Sequence, residues 1–151
     1  MPGKRYMRAY AGLYGEVATT LPIPSVERSH GTSIKCRSEF EEQCQAATWL
    51  KRNDILFFHV PNGGLRSKAA GAMMKAAGVI PGVPDFVIPI PSPDGAFHGL
   101  FIEIKRKDGG SGLSSAQKFW FGELRKRGYA CYEAKGALDL IIYVKKYLQK
   151  L

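Results

Sequence analysis

Asp85, Glu103 and Lys105 are two carboxylates and an ammonium within the stretch 81–105, PGVPDFVIPIPSPDGAFHGLFIEIK. Two ionised carboxylates held about 4 Å apart repel by about 4 kcal/mol at an effective dielectric of 20, so a site containing both calls for a cation. Oxygen-only ligands suit Mg²⁺ or Mn²⁺. Such an ion polarises a phosphodiester oxygen, makes hydroxide available near neutral pH and neutralises charge building at phosphorus. A neighbouring lysine would orient the attacking water, stabilise the phosphorane or, given a strongly lowered pKa, help remove the proton. The chemistry indicated is metal-assisted phosphodiester hydrolysis.

The element that must gather these groups is a β-hairpin. FVIPI and LFIEI are apolar, β-branched-rich runs on either side of the turn-forming PSPDGAFHG. Folding about Asp94 sets Asp85 opposite Glu103, each nine positions from that centre, unless a bulge shifts the register by a residue or two. Glu103 and Lys105 are two apart and leave one face of their strand, roughly 6 to 7 Å apart. An acid, any residue and a lysine recur by chance about once per 150 residues. The chain holds a second copy, Glu133-Ala134-Lys135. That copy is expected to leave a short strand for a helix, and no aspartate is reflected opposite it, so context selects Glu103 and Lys105.

The flanking segments supply helices and further polar groups. Over 38–51, Ser38 is an N-cap type and acids fill the first turn. Phe40, Cys44, Ala47 and Leu50 are expected to face the core, with Glu39 and Gln43 along the flank. Glu39 is either directed into a site or is a first-turn acid on a solvated face. ILFFHV, 55–60, reads as a buried strand, followed by the turn PNGG and a small-residue helix ending near Gly78. Asn62, Arg66, Lys68 and Lys75 in this region, and Arg106, Lys107 and Lys118 further on, are candidate DNA contacts, a solvated surface being the alternative for each charge. Met73 and Met74 suit a core or subunit contact. Over 114–127, Gln117, Trp120, Phe121 and Leu124 share one helix face. Gln117 is either a site residue or the return half of a capping box with Ser114. A short strand, 129–133, and a closing helix with Ala137, Leu140, Ile141, Val144 and Leu148 on one stripe complete an α/β domain. Its mixed sheet is flanked by helices, and the strands on either side of the 114–127 helix are parallel neighbours.

With 151 residues the chain is long enough for a core without staples. Lys and Arg number 22 against 13 acids, a formal charge of +9 that favours an anionic partner such as nucleic acid. No apolar run is long enough to span a membrane and the N-terminus lacks the apolar core of a signal peptide, so an intracellular, cytoplasmic protein is expected. Three widely spaced cysteines and three histidines offer no zinc cluster. Residues 1–37 carry six basic and two acidic residues without sustained periodicity and are expected to form a basic arm, with the domain proper over 38–151.

The segments SEFEEQCQAATW, PNGG with Arg66, MKAAGVIPGVPDF, GLFIEIK and LSSAQKFW together resemble the VRR-NUC family, the virus-type replication and repair branch of the PD-(D/E)XK nucleases. The resemblance spans about 38–148 and implies a restriction-endonuclease-like fold. It further implies that Asp85, Glu103 and the backbone carbonyl of Ile104 bind the metal, that Glu39 supports the metal directly or through water, that Lys105 serves the attacking water, and that Gln117 lies at the site. Glu41 and Glu42 are near alternatives to Glu39; Glu39 is preferred because Gln43 and Trp49 then also match. A free-standing chain of this kind is similar to viral or prophage Holliday junction resolvases, which implies a homodimer acting on branched DNA, without a nucleotide cofactor, in host cytoplasm. A flap, nick or restriction-type nuclease, and a non-catalytic DNA-binding protein, are the alternatives.

Overall fold

Ser38 opens the first helix, as its residue type predicts. Its hydroxyl accepts from the Glu41 amide at 3.2 Å while the Glu41 carboxylate accepts from the Ser38 amide at 2.7 Å, a capping box that satisfies two otherwise orphaned donors. This helix, Glu39–Arg52, is α1. The structure, a computed structural model, describes residues 37–61, 68–108 and 112–149, with Lys68 as backbone alone. Nearly all of the expected basic arm, together with Asn62, Arg66 and the Lys68 side chain, lies outside the described residues.

The elements after α1 are β1 (Phe58–His59), α2 (Lys68–Ala76), β2 (Phe86–Ile88), β3 (Leu100–Lys105), α3 (Ser115–Lys126), β4 (Ala130–Lys135) and α4 (Ala137–Tyr147). The strands form one sheet in the order β1-β2-β3-β4. β1 with β2 and β2 with β3 are antiparallel, whereas β3 and β4, joined through α3, are parallel. The expected mixed sheet between helices is thus the observed fold. Alternation along β3 sends Leu100, Ile102 and Ile104 to one face, where they meet Ala46 and Leu50 of α1 and Leu140 and Val144 of α4. Phe101 lies on the opposite face with Phe121 and Leu124 of α3 and Cys131 of β4. Glu103 and Lys105 share that second face.

Four local expectations need correction. The inward stripe of α1 is Glu42, Ala46 and Leu50, while Phe40 is 73% exposed and Cys44 is also exposed. The reason is chemical: α4 begins after Gly136, which has no side chain to cap it, and the buried Glu42 carboxylate accepts from the Ala137 amide at 2.7 Å instead. The segment 55–60 is not a buried strand. Ile55 and Phe57 are buried, but pairing is confined to Phe58 and His59, both exposed on an edge. β2 stops at Ile88, just before Pro89, whose nitrogen carries no hydrogen for a ladder bond. β4 extends to Lys135 instead of ending at Glu133.

α2 packs against no other element among the described residues, and Met73 and Ile80 are 74% and 53% exposed. No helix of the described residues is long and apolar enough to cross a membrane.

Candidate active site

The hairpin register is the one that symmetry about Asp94 predicts. Phe86 pairs with Ile102, Val87 with Phe101 and Ile88 with Leu100, so one step further along the same register sets Asp85 opposite Glu103. The strands do not separate there without contact: Asp85 Oδ2 accepts the Ile104 amide at 2.9 Å. A residue's N–H and C=O leave an extended strand on the same side. The Ile104 carbonyl therefore also faces the β2 side, next to Asp85, where it could serve as a metal ligand.

Lys105 Nζ donates to Glu103 Oε1 at 2.9 Å and to Gln117 Oε1 at 3.2 Å. Gln117 Nε2 donates to the same Glu103 oxygen. Gln117 also completes a capping box: its Oε1 accepts the Ser114 amide at 2.8 Å, and its own amide donates to Ser114 Oγ at 3.3 Å. Gln117 thus caps α3 and, through its side chain, also contacts Lys105 and Glu103. The helix cap fixes the amide so that its oxygen meets Lys105 and its nitrogen meets Glu103.

Asp85 and Glu103 are buried, 7% and 3% exposed, and Glu103 Oε2 has no hydrogen-bond partner among the described residues. Burial pushes the Asp85 carboxyl up, against the pull of the Ile104 amide; Glu39 adds a further upward push, while His59 and Lys105 favour the ionised form. Burial and then Asp85 push Glu103 from 4.5 up to about 7, against the bond and charge of Lys105. Glu39 acts on both carboxylates, so the first turn of α1 delivers a third negative charge to their neighbourhood. Its two neighbours are engaged elsewhere: Glu41 in the α1 cap and Glu42 at α4.

This donor set fits a hard divalent cation. It offers two buried carboxylates, one of them with an orphaned oxygen, and a backbone carbonyl on the same side. Among the described residues no group of three or more His, Cys, Asp or Glu side chains is placed to hold a metal ion, so the side chains supply two ligands. Such a site leaves coordination positions to water and substrate, as Mg²⁺ sites commonly do.

The candidate DNA contacts fall into different places. Lys118 lines a cleft of about 680 Å³ beside Lys105, Gln117, Ser114 and Ser115. Arg106 and Lys107 are exposed just beyond β3, with Arg106 paired to Asp108 at 2.6 Å. Lys75 is exposed on α2. Three further residues are placed by the fold in ways that sequence reasoning did not assign. His59 comes near Asp85 because β1 pairs with β2, and the Val60 amide donates to the Asp85 carbonyl at 2.7 Å. Glu42 is structural, and only its place two helical turns before Leu50 hinted at burial. Glu133, set aside with the second acid-x-Lys copy, is in register with Glu103, as Lys135 is with Lys105. The shared spacing of the two motifs was the available signal.

Comparison with known proteins identifies the family. The family model of the VRR-NUC domain matches residues 37–138. A solved structure of a VRR-NUC domain protein is 35% identical, with 76% of this chain and 91% of that chain covered and a TM-score of 0.63. A comparison with curated proteins finds no match. The chain belongs to the VRR-NUC family, a nuclease-type family that is generally dependent on a divalent metal.

Proposed function

We propose that this protein is a Mg²⁺ or Mn²⁺ dependent endonuclease that cuts branched DNA as a two-fold homodimer inside the cell. The observation that carries the nuclease reading is the buried pair Asp85 and Glu103, with an orphaned Glu103 oxygen on one side and Lys105 and Gln117 bound on the other. Asp85, Glu103 and the Ile104 carbonyl would hold the cation, and Glu39 would hold a water of its shell. When bound, the cation supplies Lewis acidity toward a phosphodiester oxygen and activates water.

The chain's own groups do the positioning. An ammonium has three N–H donors, and Glu103 and Gln117 take two from Lys105. The third is left to direct at the attacking water or at the phosphorane oxygen. Lys105 in this arrangement acts as a donor and a local positive charge rather than as a base. Gln117 keeps Glu103 Oε1 committed to the lysine, so that Oε2 alone faces away for a cation. Water then attacks phosphorus in line and the opposite oxygen leaves.

Branched DNA is favoured because the chain carries +9 charge and the described residues include no separate domain for reading base sequence, which leaves backbone shape as the target. α2, exposed and apolar with no partner element among the described residues, is suited to bury against a second copy, which a symmetric double cut requires. Incubation with a labelled four-way junction, a flap and linear duplex, each with Mg²⁺, Mn²⁺ or EDTA, tests this. Paired symmetric cuts in the junction with either metal and none in EDTA are expected. Absence of cleavage under every condition would leave a DNA-binding protein, and preference for the flap would reassign the substrate.

A further inference from the structure

Glu133 has no role in the chemistry above, yet the fold sets it beside the centre of it. β3 and β4 are parallel and Glu103 pairs with Glu133, so the two side chains leave the same face on strands about 4.8 Å apart. Glu133 lines the cleft that also contains Lys105, Ser114, Ser115, Gln117 and Lys118. Gly112 faces it closely: a Cβ there would lie 3.7 and 3.8 Å from the two carboxylate oxygens. No described residue donates a hydrogen bond to Glu133 or pairs with it, although Lys105 and Lys118 share its cleft. It is a carboxylate with both oxygens turned to the cleft, one strand beyond the cutting site.

An anionic group in that position repels a backbone phosphate and attracts a donor. In a nucleotide seated here, the phosphates must lie toward Lys105 and Lys118, and the group facing Glu133 must be the base or sugar. Two carboxylate oxygens match two adjacent N–H donors best, as they do in paired guanidinium contacts. Among the four DNA bases, guanine presents such a pair, N1–H and the 2-amino group, on its base-pairing edge. That edge is free only when the base is unpaired, as at a branch point.

We propose that Glu133 is a specificity-determining residue that accepts hydrogen bonds from a donor-bearing base edge, guanine above all, in the nucleotide next to the scissile phosphate. This rests on the nuclease reading for the identity of the ligand, but its test does not depend on cleavage. In EDTA, the full chain and the variants Glu133→Gln and Glu133→Ala are titrated with fluorescent single-stranded oligonucleotides that differ at one base, guanine against inosine, which lacks the 2-amino group. The native protein is expected to favour guanine by about fivefold or more. Both variants should bind the two oligonucleotides within about twofold of each other, with unchanged circular dichroism. Equal binding of the two by the native protein, an undiminished preference in either folded variant, or no binding of either oligonucleotide would overturn the proposal. A native protein that discriminates but cuts no substrate with any metal would sink the nuclease reading and leave Glu133's base contact standing.

Discussion

Glu103→Gln should make the metal-free protein more resistant to unfolding at alkaline pH than the native chain. The Glu103 carboxyl titrates near 4.5 when unfolded and at about 7 when folded, so between those values the folded state keeps a proton that the unfolded state has released. Stability contributed by this group is therefore fully present below about 4.5 and is lost as pH rises through about 7. Glu103 is only 3% exposed, so solvent screening takes little from the effect. Between pH 5 and pH 8 the loss amounts to about 2 to 3 kcal/mol. Gln at this position does not titrate, and its packing cost is the same at both pH values. In EDTA, the stability difference between variant and native protein should thus grow by about 2 to 3 kcal/mol from pH 5 to pH 8, read from urea unfolding at each pH. Asp85 is the second cause of the upward push on Glu103, and the variant also removes this like-charge repulsion. A cation reverses the pattern: at a hundredfold excess over its dissociation constant it stabilises a folded protein by about 2.7 kcal/mol. Native protein should gain this at pH 8 on addition of Mg²⁺ or Mn²⁺, and Glu103→Gln should gain far less. Parallel pH curves in EDTA, or equal stabilisation of both proteins by the cation, would refute the reading of Glu103 as a buried carboxyl that ligates a metal.

Two further perturbations separate structural from chemical roles. Ser114→Ala removes half of the α3 cap and should cost about 1 kcal/mol in urea unfolding with metal-dependent cutting largely kept, whereas Gln117→Ala should lose the cap and also at least tenfold in the cutting rate; equal rates for the two variants would reduce Gln117 to a cap. Glu42→Ala should destabilise by about 1 to 3 kcal/mol by stripping the buried Ala137 amide of its acceptor, with the folded fraction still cutting; a change below about 0.5 kcal/mol would show that α4 caps itself another way.

The parts of this fold that the sequence made legible are those where one local rule acts alone. Two apolar, β-branched-rich runs and a proline-rich turn suffice for the hairpin, and its symmetry then sets Asp85 opposite Glu103. Ser38 and Ser114 cap where their residue types predict, and Gln117 returns the bond to Ser114 as its place three residues on predicts. Reading failed where a distant element changed the local balance. Counting apolar residues along α1 gave Phe40 an inward place, because nothing local reveals that a glutamate is buried to cap a helix 95 residues away. The apolar run 55–60 looked like a core strand, yet its burial comes from Ile55 and Phe57 before the pairing begins, and the paired residues lie at the sheet's edge.

The second acid-x-Lys copy shows why a site is more than its motif. Glu133 and Lys135 sit in register with Glu103 and Lys105, so strand, spacing and sheet face do not distinguish the pairs. What distinguishes them is the company on each side. β3 is central, and its glutamate is enclosed between β2, which brings Asp85, and α3, which brings Gln117. Among the described residues β4 is an edge strand, so Glu133 has the Asp85–Glu103 pair on one side and no further described strand on the other. Enclosure raises the cost of an ionised carboxylate at Glu103 and, with Asp85 opposite, makes a cation the natural remedy; Glu133 is only half-buried. On the function and the Glu133 contact proposed above, two copies of one short pattern suit different tasks, the central one for holding metal and the edge one for meeting the substrate beside it.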